Sequence, residues 1–453
     1  MKKILLAGGA LLLLAVVAVA GVGAYLVSRL NTPELEQSIL DQARATLGTD
    51  LKVQDMEISL VSGVTLEGIA VKNPAPFQGD LVTADAFVLR YRLLPLLRGR
   101  VEVERLALEK PALALAMDAK GGFNYERLFG SAAKGAPAPA KPGQASPTAA
   151  VPLRIVMKSL AVERGSIVMS DHTKARLMAV EEIDFRSAFE VAGGVAQGAG
   201  EITIGKVNVA DVLFVSGVKA PLAMSKERVA LAPIRGELAG GVVSGELKVD
   251  LKGGFGYTAE LVVKGARVKT LLEQAGSAAV VSGTLSGKAH FEGRGGLPTM
   301  RGQGSADVAS CRAENSRVLA LLSSVLQVPE LANPDFEACR VEFSQAGSRF
   351  ATPVVKLTGD AVRLSGRGSV NLDTSGLDYE MTLGLAPKLL AKITRPELRA
   401  GFKEASDGFA TIDFRLYGTT LEPKTDLLTR VGKAAATGVA KDQVNKLLKK
   451  KIF

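Results

Sequence analysis

The sequence predicts a mainly β protein: an N-terminal transmembrane helix, then a long antiparallel β-sheet, either closed as a sandwich or curled into a groove, with a few short helices and a basic C-terminal helix. Three observations carry this. Roughly 20 segments alternate apolar and polar residues with a period of two, as half-buried strands do. Glycine fills 48 of 453 positions and hydrophobic residues make up 47 %, which suits a folded, turn-rich protein and excludes a disordered one. The chain opens with a long uncharged apolar run.

That run follows Met1, Lys2 and Lys3 and extends from Ile4 to Val27. At 1.5 Å per residue it is long enough to cross a hydrocarbon core of roughly 30 Å. A cleaved signal peptide would have an apolar stretch of about 7 to 15 residues. The small residues Ala18 to Gly23 leave cleavage open. Residues 1–28 are therefore expected to be a cytoplasmic tip and an anchor. Lys2 and Lys3 hold the N-terminus inside, although Arg29 on the far side weakens the bias.

Residues 29–130 begin with an amphipathic helix. Thr32 suits its N-cap, Pro33 its first position, and Leu35, Ile39, Ala43 and Leu47 recur every four residues. From Asp50 the period changes to two, with turns expected at Gly63, Gly79 and Gly99. The alternation slips phase between Val103 and Leu106, which predicts a bulge near Glu104 and Arg105. Residues 131–152, rich in Ala and Pro, have no apolar face to bury and read as a linker or long loop.

Residues 153–423 resume the period-two pattern, ending with Ile412, Phe414 and Leu416 on one face and Asp413 and Arg415 on the other. Two helices interrupt it. Val318, Leu321, Leu322 and Val325 form a stripe that Asn315 could cap and Pro329 should end, and a second begins at Leu389, Leu390 and Ile393 and should break at Pro396. Residues 424–453 read as a basic amphipathic helix. Their eight basic and two acidic residues supply +6 of the net charge of +10, so the rest of the body is nearly neutral and nucleic acid is not an expected partner.

Candidate chemistry is sparse. His172 and His290 lie in different segments, and neither has a second His or Cys at metal-ligand spacing. Asp171, His172 and Thr173 read as a turn. No G-x-S-x-G occurs, and the Gly-rich stretch from Glu292 to Val308 lacks the lysine of a phosphate loop, leaving glycines at strand ends and bulges. Glu181 and Glu182 are adjacent and would point to opposite faces of a strand. Catalytic, cofactor and metal residues are expected to be none. Cys311 and Cys339 either pair in an oxidising compartment or stay as two buried thiols, and their spacing does not decide.

The apolar strand faces leave two arrangements open: a closed sandwich core, or a curled sheet whose greasy side accepts acyl chains at about 0.8 kcal/mol per CH₂. In the second, Leu106, Leu108, Leu113, Leu115, Met117, Val362, Leu364, Ile412, Phe414 and Leu416 line the groove.

The stretch from Leu93 to Leu128 resembles the N-terminal signature of the AsmA-like family of bacterial envelope proteins. Leu94, Pro95, Leu96, Leu97, Gly99, Val103, Leu106, Leu108, Pro111, Leu113, Leu115, Gly122, Asn124 and Leu128 stand where that pattern has them, while Tyr125 falls where Trp is frequent. Segments around Gly165 and Asp171, Gly240 to Gly245, and Gly283 to Gly295 resemble its later parts in order. The resemblance implies an inner-membrane protein, single-pass with its N-terminus in the cytoplasm and its bulk in the periplasm. It implies a body related to chorein-type bridge-like lipid transfer proteins, and phospholipid, the membrane and envelope assembly proteins as partners. It carries no catalytic residues. Roughly 20 strands about 4.8 Å apart would give a trough on the order of 100 Å. That length calls for self-assembly, a partner or a local task.

Overall fold

The computed structural model describes residues 47–59, 63–92, 100–128, 154–192, 195–251, 256–276, 280–294, 299–314, 317–372, 374–405, 407–420 and 422–427, with single positions between 37 and 44, at 95 and at 429–430. The expected anchor, the 131–152 linker, and the expected basic helix beyond residue 430 lie outside them. Among the described residues no helix is long and apolar enough to cross a membrane.

The protein is mainly β, with 22 described strands in one large mixed sheet and a few short helices. The chain divides into two compact units. The first comprises Met1–Glu237, Ser244–Thr258 and Arg294–Gly296, and the second Leu238–Val243, Ala259–Gly293 and Leu297–Phe453.

In the first unit, β1 (Leu51–Lys52) and β2 (Asp55–Ser59) pair with β3 (Gly63–Lys72), which pairs with β4 (Asp80–Arg92). β4 then pairs with β5 (Arg100–Glu109) and β6 (Ala112–Ala116) in succession. Both run parallel to β7 (Arg154–Ser170), so the sheet is not wholly antiparallel as the sequence suggested. A parallel pair needs a long connection, and residues 117–153 separate β6 from β7 along the chain. Antiparallel β8 (Arg176–Ala192), β9 (Val195–Val209) and β10 (Leu213–Met224) follow. The expected bulge is present: Arg90 pairs with Arg105 and Tyr91 with Val103, leaving Glu104 as the extra residue.

A row of irregular residues crosses this unit from strand to strand. Gly68, Lys110, Arg164, Glu182 and Gly217 all have left-handed backbone, with φ between 44° and 60°. At this row the apolar phase shifts by one residue. Val71 and Ile69 give way to Leu66 and Val64 on β3, Met169 and Ile167 to Val162 and Leu160 on β7, and Val209 and Val207 to Ile204 and Ile202 on β9. On β3 and β7 the positions on both sides of the shift belong to one core cluster, so the extra residue keeps one face apolar. A left-handed non-glycine residue costs about 1 to 2 kcal/mol, and the apolar side chains retained on the face are worth about 1.5 to 3 kcal/mol each when buried. The burial wins. Ion pairs lie along the crease, with Lys110 Nζ 2.5 Å from Asp85 and Lys206 Nζ 3.6 Å from Glu182.

The remaining strands are β11 (Arg228–Leu238), β12 (Gly241–Asp250), β13 (Gly256–Arg267), β14 (Val280–Arg294), β15 (Arg301–Glu314), β16 (Asp335–Ala346), β17 (Arg349–Thr358), β18 (Val362–Asn371), β19 (Gly376–Leu385), β20 (Lys403–Glu404), β21 (Ala410–Thr419) and β22 (Pro423–Thr425). In the second unit β14 to β19 form an antiparallel meander, β21 joins β19, and β20 and β22 cover the two ends of β21. Lys424 and Thr425 therefore belong to a strand rather than to the basic helix.

The helix Arg317–Leu326 stands where the apolar stripe predicted it, but Pro329 does not end it. Left-handed Gln327 does, with Val328 N donating to Ser323 O at 3.1 Å, and Pro329 opens a separate 3-10 turn. Pro396 likewise starts the helix Pro396–Ala400 instead of breaking one, because a missing N–H is harmless in the first turn.

Candidate functional site

The expected groove-lining residues lie in two separate cores. Leu106, Leu108 and Leu115 are buried in the first unit, with Leu113 and Met117 partly buried against them. The chain itself covers this face. Ala43 and Leu47 of the leading helix are buried in the same cluster, as are Phe123, Tyr125 and Leu128. Phe123 and Tyr125 stack at 5.3 Å between centroids, and burial raises the Tyr125 hydroxyl above its ordinary pKa. Asn124, fully buried, donates Nδ2 to Asn73 Oδ1 and to Ala114 O, both at 2.8 Å, and accepts from Tyr125 N at 3.0 Å. A buried amide satisfied in this way clips the covering segment to the sheet.

Val362, Leu364, Ile412, Phe414 and Leu416 are buried in the second unit. Leu319, Leu322 and Leu326 of the Arg317–Leu326 helix pack on them, together with Leu331, Leu389, Ile393 and Leu398. Lys392 bonds to Glu330 and ties two of these covering segments together. Cys311 and Cys339, in the same cluster, are bonded to each other.

Elsewhere the apolar face is only half-buried. On β8 to β10 the cross-strand rows include Phe185, Ile202 and Ala220, then Ile183, Ile204 and Val218; of these only Ala220 is buried. On β14 to β17 the corresponding residues are Phe291, Phe343 and Phe350, all half-buried and outside the helix-covered cluster. Phe343 and Phe350 stack at 5.3 Å.

Sequence reasoning missed these rings, and the glycines beside them are the signal that could have found them. Gly302 pairs with Phe291 and Gly304 with Phe343, and a Cβ on either glycine would sit 2.6 Å from the ring. Gly368 pairs with Tyr379, Gly366 with Met381 and Gly198 with Phe189 in the same manner. Gly198, Gly302, Gly304, Gly366 and Gly368 are thus seats for large side chains across the strand, and Gly293 and Gly302 also stand at strand ends, as the sequence suggested.

Polar and apolar side chains segregate sharply in the second unit. On β14 to β19 the face carrying Phe291, Gly304, Phe343 and Tyr379 has no charged residue among the described positions. The opposite face carries ion pairs of Arg340 with Asp307 at 3.0 Å and of Arg367 with Glu380 at 3.1 Å. Thr352 is the buried polar exception, its hydroxyl donating to Tyr379 Oη at 3.1 Å.

The ionisable groups singled out in the sequence stay apart. Asp171 accepts from Thr173 Oγ1 at 2.7 Å and from the amides of Thr173 and Ala175, and these bonds, that of the Thr173 hydroxyl foremost, hold its carboxyl below 3.8. His290 Nδ1 lies 3.8 Å from Glu260. Glu181 and Glu182 are both exposed, the left-handed backbone at Glu182 having interrupted the simple alternation. Among the described residues no three His, Cys, Asp or Glu side chains come together as a metal site would need.

Comparison with known proteins gives one finding. The sequence model of the AsmA family matches residues 1–196 and 180–305. No curated protein and no solved structure matches the chain significantly. Two thirds of the sequence, including the leading region, the crease and β8 to β14, are covered by the family match, and the chain belongs to the AsmA family.

Proposed function

We propose that this protein is anchored in the inner membrane, faces the periplasm, and holds or conducts phospholipid along apolar strand faces in support of outer-membrane lipid transport and assembly. The observation that carries the reading is the half-buried, uncharged face of β14 to β17, with Phe291 and Phe343 beside glycines, Phe350 stacked on Phe343 and, among the described positions, every charge on the other side. Acyl chains ask for continuous apolar area and no particular residue, and each CH₂ removed from water gains about 0.8 kcal/mol. The headgroup can stay in water. No reaction is required, so the protein acts without catalytic residues or a cofactor.

Native mass spectrometry of the full chain tests this. Phospholipid should co-purify with the parent protein and fall at least severalfold in Phe343→Asp, with the fold retained because the ring is half-exposed. A parent protein without bound lipid would sink the proposal. Leu108, Leu115 and Leu364 are poor probes, since an Asp at any of these buried positions would unfold a core.

A second reading has an observation of its own. The covering segments over both cores, clipped by Asn124 and by the Lys392 to Glu330 pair, favour a structural or regulatory envelope protein that binds an assembly factor. It predicts cross-links from Phe343 to protein and none to a photoactivatable phospholipid.

A further inference from the structure

Among the described residues of the first unit, four large apolar side chains are more than a third exposed: Val168 (41 %), Val209 (39 %), Val212 (60 %) and Leu213 (38 %). Scattered exposed apolar residues need no explanation, but Val209, Val212 and Leu213 lie together where β9 meets β10, while Val168, paired with Ala179, points to the other face. Three of them sit on the turn between β9 and β10. Val212 N donates to Val209 O at 3.0 Å, and the two residues between, Ala210 and Asp211, are both left-handed, with φ of 53° and 54°. They form a β-turn inside the three-residue hairpin loop Ala210 to Val212, which the pair Val209 and Leu213 closes, and left-handed positions of this kind normally take Asn or Gly. Neither residue here is glycine, so the left-handed backbone is strained, more at Ala210 than at Asp211, whose short polar side chain tolerates it.

The turn's one charge is exposed but paired. The Asp211 carboxylate accepts from Asn208 Nδ2 at 2.6 Å and Arg176 Nη1 at 3.2 Å, while its backbone N donates to Asn208 Oδ1 at 3.0 Å. Val212 is left as the most exposed large apolar residue among those described. An apolar row also leads inward from the tip, because Leu213 pairs with Val209, Val209 with Met178, Met178 with Met169, and Met169 with Leu115. Met169 and Leu115 are already core.

We propose that the β9–β10 turn is a membrane-contacting tip, with Val212, Val209 and Leu213 inserted into the interfacial layer of a lipid bilayer. A protein partner fits less well, since three side chains on a narrow turn fall far short of the roughly 800 Å² that a stable protein interface covers on each side. Interfacial insertion needs only a few apolar groups held proud of a polar surround, and a turn tied by its own hydrogen bonds supplies them. This goes beyond the lipid-holding reading: the tip can touch a bilayer whether or not the strand faces carry cargo.

The test uses the full chain in vesicles of phosphatidylcholine and phosphatidylglycerol. The two native cysteines are bonded to each other, so Val212→Cys offers a single thiol for an environment-sensitive fluorophore. Lys226→Cys, on the exposed turn at the far end of β10, is the control. Fluorescence at position 212 should brighten in vesicles and be quenched by doxyl-labelled lipid several times more strongly than at position 226. With the label at Leu213→Cys instead, adding Val212→Asp should reduce the quenching roughly tenfold. Equal quenching at positions 212 and 226 would overturn the proposal, as would brightening at position 212 that doxyl-labelled lipid leaves unquenched, which would mark a protein contact. Bound phospholipid in the native mass spectrum reports separately on the lipid-holding reading. If quenching is absent and cargo is present, the tip fails alone; if quenching is present and cargo absent, the tip stands and the other reading fails.

Discussion

The strands β3 to β7 of the first unit and β14 to β17 of the second are written with the same alternation of apolar and polar residues, yet they end in different states. On β3 to β7 the apolar side is closed by the leading helix and by Phe123, Tyr125 and Leu128, and Phe87, Leu89 and Leu108 are almost wholly buried. On β14 to β17 the rings of Phe291, Phe343 and Phe350 are half-exposed. Period-two patterning fixes which side of a strand is apolar. What lies on that side is decided by amphipathic segments elsewhere in the chain, and these are what separate a core from a surface able to take a ligand.

The largest expected effect tests that contrast directly. Phe414→Ala removes a nearly fully buried ring from the helix-covered core and should cost about 3 to 5 kcal/mol in urea unfolding. Phe343→Ala should cost only about 1 kcal/mol, since a half-exposed ring loses much less area to solvent. Equal costs would mean that β14 to β17 are as closed as β18 to β21. The disulfide comes next. Cys311 and Cys339 close a loop of 28 residues beneath the helical cover, and replacing both by Ala should lower stability by about 3 to 4 kcal/mol, with the same loss on adding reductant to the unfolded parent before refolding. Asn124→Ala should cost about 1 to 3 kcal/mol, because the buried amide's bonds to Asn73 Oδ1 and to the Ala114 carbonyl are lost together. If lipid retention rises in that variant, the segment it clips is closing a surface that could otherwise hold cargo.

Much of this was legible in the sequence. The bulge at Glu104 followed from the phase slip between Val103 and Leu106, and the helix Arg317–Leu326 followed from its stripe. The crease was not seen, because left-handed Lys110, Arg164 and Glu182 are ordinary charged residues whose backbone state is imposed by neighbouring strands. A single phase shift is readable locally, whereas the alignment of several depends on register. The parallel pairing of β5 and β6 with β7 was missed for the same reason, since nothing local distinguishes a linker from a crossover. The half-exposed rings escaped notice because G-x-G is informative only once each glycine's cross-strand partner is known. Leu108 and Phe343 look alike in the sequence and differ in what covers them.

The smallest effect expected lies at the boundary between the two kinds of surface, the turn from covered β7 to half-exposed β8. Asp171 holds this turn through the Thr173 hydroxyl and the amides of Thr173 and Ala175, which lower its carboxyl below the ordinary 3.8. A carboxyl depressed on folding stabilises above its unfolded value, and that contribution disappears as pH falls through the folded one. The amide resonances of Thr173 and Ala175 should therefore titrate together with a midpoint below 3.8, while those of Leu106 and Leu108 in the core stay unmoved. Asp171→Asn keeps an acceptor oxygen but loses the proton equilibrium, so its trace should be flat. A midpoint above 3.8 would show that the carboxylate answers to something other than its own turn, and not to the charge of His172, which also lowers it. A titration that spreads into Leu106 and Leu108 would show instead that the turn and the covered core move as one, so that the boundary between closed and open faces is not at β7.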